Sequence, residues 1–323
     1  MPLIEPGDYK PPWGWANPHL QTVWGAVGRR VSPLSWTRLR VVMPEGDSLA
    51  VDYLRVGTGE RVAVICPGME ADSHSRHRLG MSHALIQAGW SVAALLYRGC
   101  DGSPPEHARG YHAGATDDLA LVLARLHDVF PGARTWALVG LSLGGNLVLK
   151  YASEWPGAGW PAIAAVAAVS APTDLAGSAA CLNQRKNRIY QRRFMVSLQL
   201  KLLQKVRAGW VDLPESTVAG LTSVMAFDDC YTGRWHGFTD AQDYWSQSSA
   251  NRFLGSLASP AYLLNAADDP FLSEACYPRA VARDSASFTL EIPDHGGHLG
   301  FVDHGRRASP WYEPRLVSWL NNL

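Results

Sequence analysis

Hydrophobic and polar positions along this 323-residue chain fall into short apolar runs that alternate with stretches of helical spacing. Arg61–Cys66, Ser91–Tyr97, Thr135–Leu141, Ile163–Ser170 and Ala261–Ala266 are such runs. Continuous runs of this length suit parallel strands covered on both faces, where no side of the pleat meets water. Between them Leu119, Val122, Leu123, Leu126 and Phe130 recur at helical spacing. Asp117 and Asp118 fall in the first turn of that stretch, where the helix dipole favours anions. A strand at Phe288–Ile292 and a closing helix at Ser309–Leu323 continue the alternation. The pattern predicts an α/β chain with a mostly parallel, doubly covered sheet.

Two segments depart from that rhythm. Trp36–Met43 and Ser48–Val56 flank Pro44-Glu45-Gly46-Asp47, which is turn chemistry, and predict an N-terminal antiparallel hairpin. Before it, residues 1–35 are rich in Pro and Trp and read as an irregular arm packed on the domain. Residues 172–256 carry no strand pattern and contain the amphipathic run Arg188–Val206. An insertion between two sheet strands is expected to sit on the strand ends as a helical cap. The whole of 1–323 is expected to form one domain.

Composition narrows the function. The chain carries 29 Lys and Arg against 29 Asp and Glu, and this zero balance argues against a nucleic-acid partner. With 47% hydrophobic and 18% charged residues it is no disordered chain. Five scattered cysteines without a C-x-x-C pair suggest neither a disulfide framework nor a zinc ribbon. The longest apolar run, Ala162–Val169, is far short of the roughly 20 residues of a membrane span. The N-terminus lacks the features of a signal peptide, so a cytoplasmic location is expected. No metal or organic cofactor is implied.

The strongest chemical signal is Gly140-Leu141-Ser142-Leu143-Gly144, a G-x-S-x-G that follows an apolar strand and precedes the helical stretch Asn146–Glu154. That is the setting of a nucleophile elbow, where small neighbours permit a strained serine. Serine needs a base to take its proton and a carboxylate to orient that base, in the order Ser, acid, His. Asp268-Asp269-Pro270 follows the next strand after the insertion; Asp269 is favoured as the acid, with Asp268 as the alternative. His298, in His295-Gly296-Gly297-His298-Leu299-Gly300, is favoured over His295 as the base. His112 is placed either in the pocket lining or in a structural hydrogen bond. Two backbone N–H donors for a tetrahedral oxyanion are expected from Leu143 and from Met69, in the loop after Arg61–Cys66.

With these residues placed, the chain resembles the YheT-like branch of the α/β-hydrolase superfamily. The matching motifs occur in order: Asn17-Pro18-His19-Leu20-Gln21-Thr22, Tyr97-Arg98-Gly99-Cys100, Tyr111-His112-Ala113-Gly114, Gly140 to Asn146, His236-Gly237-Phe238, Asp268-Asp269-Pro270 and Gly297-His298-Leu299-Gly300-Phe301. The resemblance implies an α/β-hydrolase fold and a serine esterase built on Ser142, Asp269 and His298. Its substrates would be short- to medium-chain or lipid-like carboxylic esters, cleaved through an acyl-serine. An acyltransferase using the same acyl-enzyme, or a non-catalytic ligand-binding member, are the alternatives. One departure is local: the family usually has His-Gly followed by Leu-Glu-Gly, and here the loop reads Pro67-Gly68-Met69-Glu70-Ala71.

Residues 185–207 hold eight cations and no acid: Arg185, Lys186, Arg188, Arg192, Arg193, Lys201, Lys205 and Arg207. One reading is a cap helix with its charges in water. The other is a basic surface near the mouth of the site that attracts anionic lipid headgroups or carboxylated esters.

Overall fold

The computed structural model describes residues 3–154, 161–303 and 310–322. Among the described residues nine strands form one sheet: β1 (Leu3–Ile4), β2 (Thr37–Val42), β3 (Ser48–Leu54), β4 (Arg61–Cys66), β5 (Ser91–Leu96), β6 (Thr135–Leu141), β7 (Ile163–Val169), β8 (Ala261–Leu264) and β9 (Phe288–Glu291). Their order is β1-β9-β8-β7-β6-β4-β5-β3-β2. Only β2–β3 and β3–β5 pair antiparallel, so the predicted hairpin is present, with Thr37 opposite Tyr53 and Val42 opposite Ser48. All other neighbours are parallel.

The apolar runs are continuous because both faces are covered. In β6, Trp136 and Leu138 join the core on one face and Ala137, Val139 and Leu141 the core on the other. The first face takes α3 (Thr116–Val129), through Leu119, Val122, Leu123 and Leu126, and also α4 (Leu143–Glu154). The second takes α2 (Arg76–Gln87) and the closing helix, which spans Tyr312–Asn321. The ends of the predicted Ser309–Leu323 helix lie outside the described residues.

The N-terminal arm is more regular than its composition suggests. Leu3 and Ile4 add a parallel edge strand beside Leu290 and Glu291. Asn17 caps a short helix, α1 (Pro18–Val23), its Oδ1 accepting from the His19 and Leu20 amides at 2.9 and 3.1 Å, with proline in the first turn where no amide is needed. The reading as an irregular arm is corrected accordingly.

No strand lies between β7 and β8. This segment holds α5 (Leu175–Leu182), α6 (Arg188–Arg207), α7 (Glu215–Ala219), α8 (Val224–Phe227), α9 (Gly233–Trp235) and α10 (Ala241–Ser248). Its helices have an apolar cluster of their own, which includes Met195, Leu198, Leu202, Val218, Val224 and Phe227.

Candidate active site

Ser142 stands between the last residue of β6 and the first of α4, with φ of +53°. A non-glycine residue pays for that left-handed conformation, and it persists only where the surroundings enforce it. Here they do: the Ser142 amide donates to Val169 O at 2.9 Å and its carbonyl accepts from Gly145 N at 2.8 Å. Close backbone approach demands Gly144, since a Cβ there would lie 2.1 Å from Cys66 O.

The loop after β8 brings Asp269 and the loop after β9 brings His298 to this serine. His298 Nε2 lies 2.7 Å from Ser142 Oγ, and His298 Nδ1 lies 2.9 and 3.2 Å from the two Asp269 oxygens. Asp269 also accepts the Phe271 amide at 2.9 Å, and the Phe271 ring packs 4.4 Å from the imidazole. Asp268 points elsewhere: it accepts the Gly297 amide at 2.8 Å and pairs with His295 at 3.2 Å. The two adjacent carboxylates therefore serve two different histidines, and only Asp269 reaches the one beside Ser142.

The Gly68 loop lies against the serine, where a Cβ on Gly68 would be 3.2 Å from Ser142 Cβ. Despite Pro67 and Ala71, the loop closes as a turn, with the Ala71 amide donating to Gly68 O at 3.3 Å. Leu143 opens α4, where backbone amides have no helical acceptor. A cavity of about 810 Å³, its open mouth included, extends from Ser142, His298 and Met69. Its walls come largely from the insertion, with Leu175, Leu182, Phe194, Leu198, Val224, Phe227 and Trp245 giving an apolar lining.

The comparisons place the chain in a family. A model of the alpha/beta hydrolase fold matches residues 62–205. YheT of Escherichia coli (strain K12), named as an esterase, is 32% identical over 97% of this chain and 93% of its own. The chain belongs to the YheT-like branch of the α/β-hydrolase superfamily. At the level of reaction class this hydrolase is a carboxylic ester hydrolase. The mouse phospholipase ABHD3 is 25% identical over 94% of this chain and 75% of its own, and the human monoacylglycerol lipase ABHD2 25% identical over 98% and 78%. Among solved structures, the Pyrococcus furiosus esterase Pf2001 superposes with a TM-score of 0.59 at 14% identity, covering 91% of this chain and 97% of that one. That likeness is one of fold.

Several residues of the hydrolase's site carried no role in the sequence reading. The Thr22 hydroxyl accepts the His298 amide at 2.9 Å and donates to Pro18 O at 2.7 Å, so α1 braces the histidine loop. Gln21 is fully buried and its Oε1 accepts from Tyr9 Oη at 2.8 Å and the Val302 amide at 3.1 Å. Ser170 accepts the Leu299 amide at 3.0 Å. Asn146, in the first turn of α4, donates to Ala113 O and Ser248 O and accepts the Ala250 amide at 2.8 Å, tying the serine helix to the insertion. For Gln21, Thr22 and Asn146 the signal was polarity inside the family motifs, and for Ser170 a hydroxyl closing an apolar strand run.

His112 does line the cavity, packed at 5.0 Å against His236 and at 5.5 Å against Phe238. Burial, with His236 beside it, holds its pKa well below the ordinary histidine range. Burial likewise pulls His236 down to about 4, although its Nδ1 faces Thr232 O at 2.7 Å and its Nε2 accepts the Gly110 amide at 3.0 Å. Among the described residues no cluster of three His, Cys, Asp or Glu could hold a metal ion, and no helix is long and apolar enough to cross a membrane.

Proposed function

We propose that this hydrolase cleaves carboxylic esters through an acyl-serine, with Ser142 as nucleophile, His298 as general base and acid, and Asp269 as the orienting carboxylate. The observation that carries the reading is the continuous hydrogen-bonded series from Ser142 Oγ through His298 to Asp269. His298 Nε2 takes the hydroxyl proton as Ser142 Oγ bonds to the acyl carbon, and Nδ1–H stays donated to Asp269, which stabilises the imidazolium. The oxyanion is received by the Met69 and Leu143 amides. As the tetrahedral species collapses, the ester C–O bond breaks and His298 returns the proton to the leaving alcohol. Water then enters by the same route and releases the acid, restoring Ser142.

The apolar walls favour an acyl chain of short to medium length or a lipid-like ester. Residues 172–256 serve as the cap that supplies those walls. All five cysteines are free thiols, which suits a reducing compartment and a cytoplasmic enzyme.

Hydrolysis of p-nitrophenyl esters of two to twelve carbons by wild type and Ser142→Ala tests the proposal. Loss of the nucleophile is expected to remove about 10⁴-fold or more of the rate. The chain-length optimum should fall where the acyl group fills the cavity. Undiminished turnover by Ser142→Ala would place the nucleophile elsewhere.

A further inference from the structure

Among the described residues Glu70 makes no hydrogen bond or ion pair with Ser142, His298 or Asp269, yet its carboxylate is nearly buried, with the side chain 8% exposed. It accepts from Tyr111 Oη at 2.6 Å, from Lys201 Nζ at 2.8 Å and from the Ser197 hydroxyl. Ser197 and Lys201 are one turn apart on α6, the same helix that sends Phe194 and Leu198 into the cavity. Glu70 also follows Met69 directly, in the turn that lies against Ser142. One carboxylate thus joins the loop beside the nucleophile to the helix that walls the substrate cavity.

The backbone at Glu70 is held as tightly as its side chain. Its φ is +59°, a left-handed conformation that L side chains avoid. Tyr111 Oη locks it, because this one oxygen accepts the Glu70 amide at 3.1 Å and donates its own proton to the Glu70 carboxylate. Tyr111 is in turn fixed by stacking on Tyr97 at 4.6 Å. Burial works against a charged Lys201, but the Cys100 sulfur and the Glu70 carboxylate outweigh it and raise its pKa, so the ammonium remains charged. The Glu70 amide that Tyr111 holds belongs to the Met69–Glu70 peptide plane, which meets the plane carrying the Met69 amide at Met69 Cα, so fixing the first restrains the second.

We propose that Glu70 is a positioning residue: it aims the Met69 amide at the oxyanion and makes that aim conditional on α6 being seated on the site. The inference rests on the proposed roles of Ser142 and Met69. A carboxylate that only held the fold together would alter stability and substrate binding. One that aims an oxyanion donor acts on the tetrahedral state alone, because donor geometry matters most where negative charge develops.

The test compares wild type, Glu70→Gln, Lys201→Met, the double variant and Ser142→Ala. For each, kcat and KM on a p-nitrophenyl ester are measured beside the Ki of an alkyl trifluoromethyl ketone, which forms a tetrahedral adduct with serine. Complete loss of an oxyanion donor costs about 10²–10³-fold, so a misaimed one should cost about 10- to 100-fold. Glu70→Gln should lower kcat by that factor and raise the trifluoromethyl ketone Ki in parallel, with KM changed less than about threefold. Lys201→Met should act in the same direction, and add little once Glu70 is Gln. If Glu70→Gln does not fold, Lys201→Met alone must show the paired change in kcat and Ki. An unchanged kcat, or a kcat loss without the matching Ki change, overturns the positioning role while an inactive Ser142→Ala leaves the nucleophile assignment standing. An active Ser142→Ala overturns both.

Discussion

Asp228 lines an otherwise largely apolar cavity as a carboxylate, accepting from Trp245 Nε1 at 2.9 Å. Burial pushes its pKa up to about 6 from an ordinary 3.8, although hydrogen bonds from Trp245 and Thr232 pull the other way. The folded chain therefore holds this proton more tightly than the unfolded chain does. Its contribution to stability is fully present below about pH 3.8 and is lost as pH rises through about 6; a shift of this size corresponds to about 3 kcal/mol. Asp228→Asn keeps an acceptor for Trp245 and removes the titration. Urea unfolding from pH 4 to 8 should find the variant more stable than wild type at pH 7–8, the gap closing toward pH 4. Parallel curves would show that Asp228 does not titrate in this range. Residue-scale chemistry was unevenly legible in the sequence. Ser142, Asp269 and His298 could be singled out because motif order and loop position constrain them, and the geometry brings those three together. The partners of Asp268, Glu70 and Asp228 depend on contacts across 27 or more positions or on burial inside the insertion, and neither leaves a local pattern.

At the scale of elements, the strand-to-helix elbow is fixed by how closely α4 approaches β4. A Cβ on Gly144 would meet Cys66 O at 2.1 Å, Cys66 C at 2.5 Å and Pro67 O at 2.6 Å, all backbone atoms that cannot move without shifting a buried strand. Gly144→Ala is expected to destabilise by the upper part of the about 1–3 kcal/mol that overpacking costs, and to lower the melting temperature accordingly. Gly255→Ala is the control. A Cβ there meets nothing within 4 Å, so its change should stay within about 0.5 kcal/mol. Equal effects for the two would refute this account of the elbow. The strands themselves were legible to within a residue or two, because β4 and β6 are covered on both faces and show it as unbroken apolar runs. α1 and β1 were not, since six and two residues are too few to establish a period. Their stability comes from distant partners, Gln21 to Val302 and Leu3 to Leu290.

The whole molecule has no net charge, but its cations are unevenly used along α6. Lys201 pairs with Glu70, Arg207 pairs with Glu215, and Lys205 donates to the His107 and Arg109 carbonyls at 2.6 and 2.8 Å. Lys201 and Lys205 thereby tie the insertion to loops outside it, and Arg207 pairs within it. The remaining five, Arg185, Lys186, Arg188, Arg192 and Arg193, are exposed at or just before the N-terminal half of the helix. Ile189, 81% exposed, and Val196, 60% exposed, lie among them. That end borders the site: Tyr190 stacks on His19 of α1 and packs 4.9 Å from Phe271, the ring against His298. The eight cations thus fall into two sets, three with partners and five facing solvent at the end of α6 whose Tyr190 packs near the Phe271 ring. A cluster of one sign at a cleft raises the local concentration of oppositely charged substrate, and salt screens it over about 10 Å at 0.1 M. An ester whose acyl chain ends in a carboxylate should therefore gain kcat/KM over its neutral, length-matched counterpart at low salt, by about 3- to 10-fold. Raising NaCl from about 20 to 500 mM should remove most of that advantage, and so should Arg192→Glu combined with Arg193→Glu. The change should appear in kcat/KM rather than kcat, because steering acts on encounter and not on the acyl-enzyme. A preference that ignores both salt and charge reversal would leave this half of α6 as a solvated face with no part in choosing substrate.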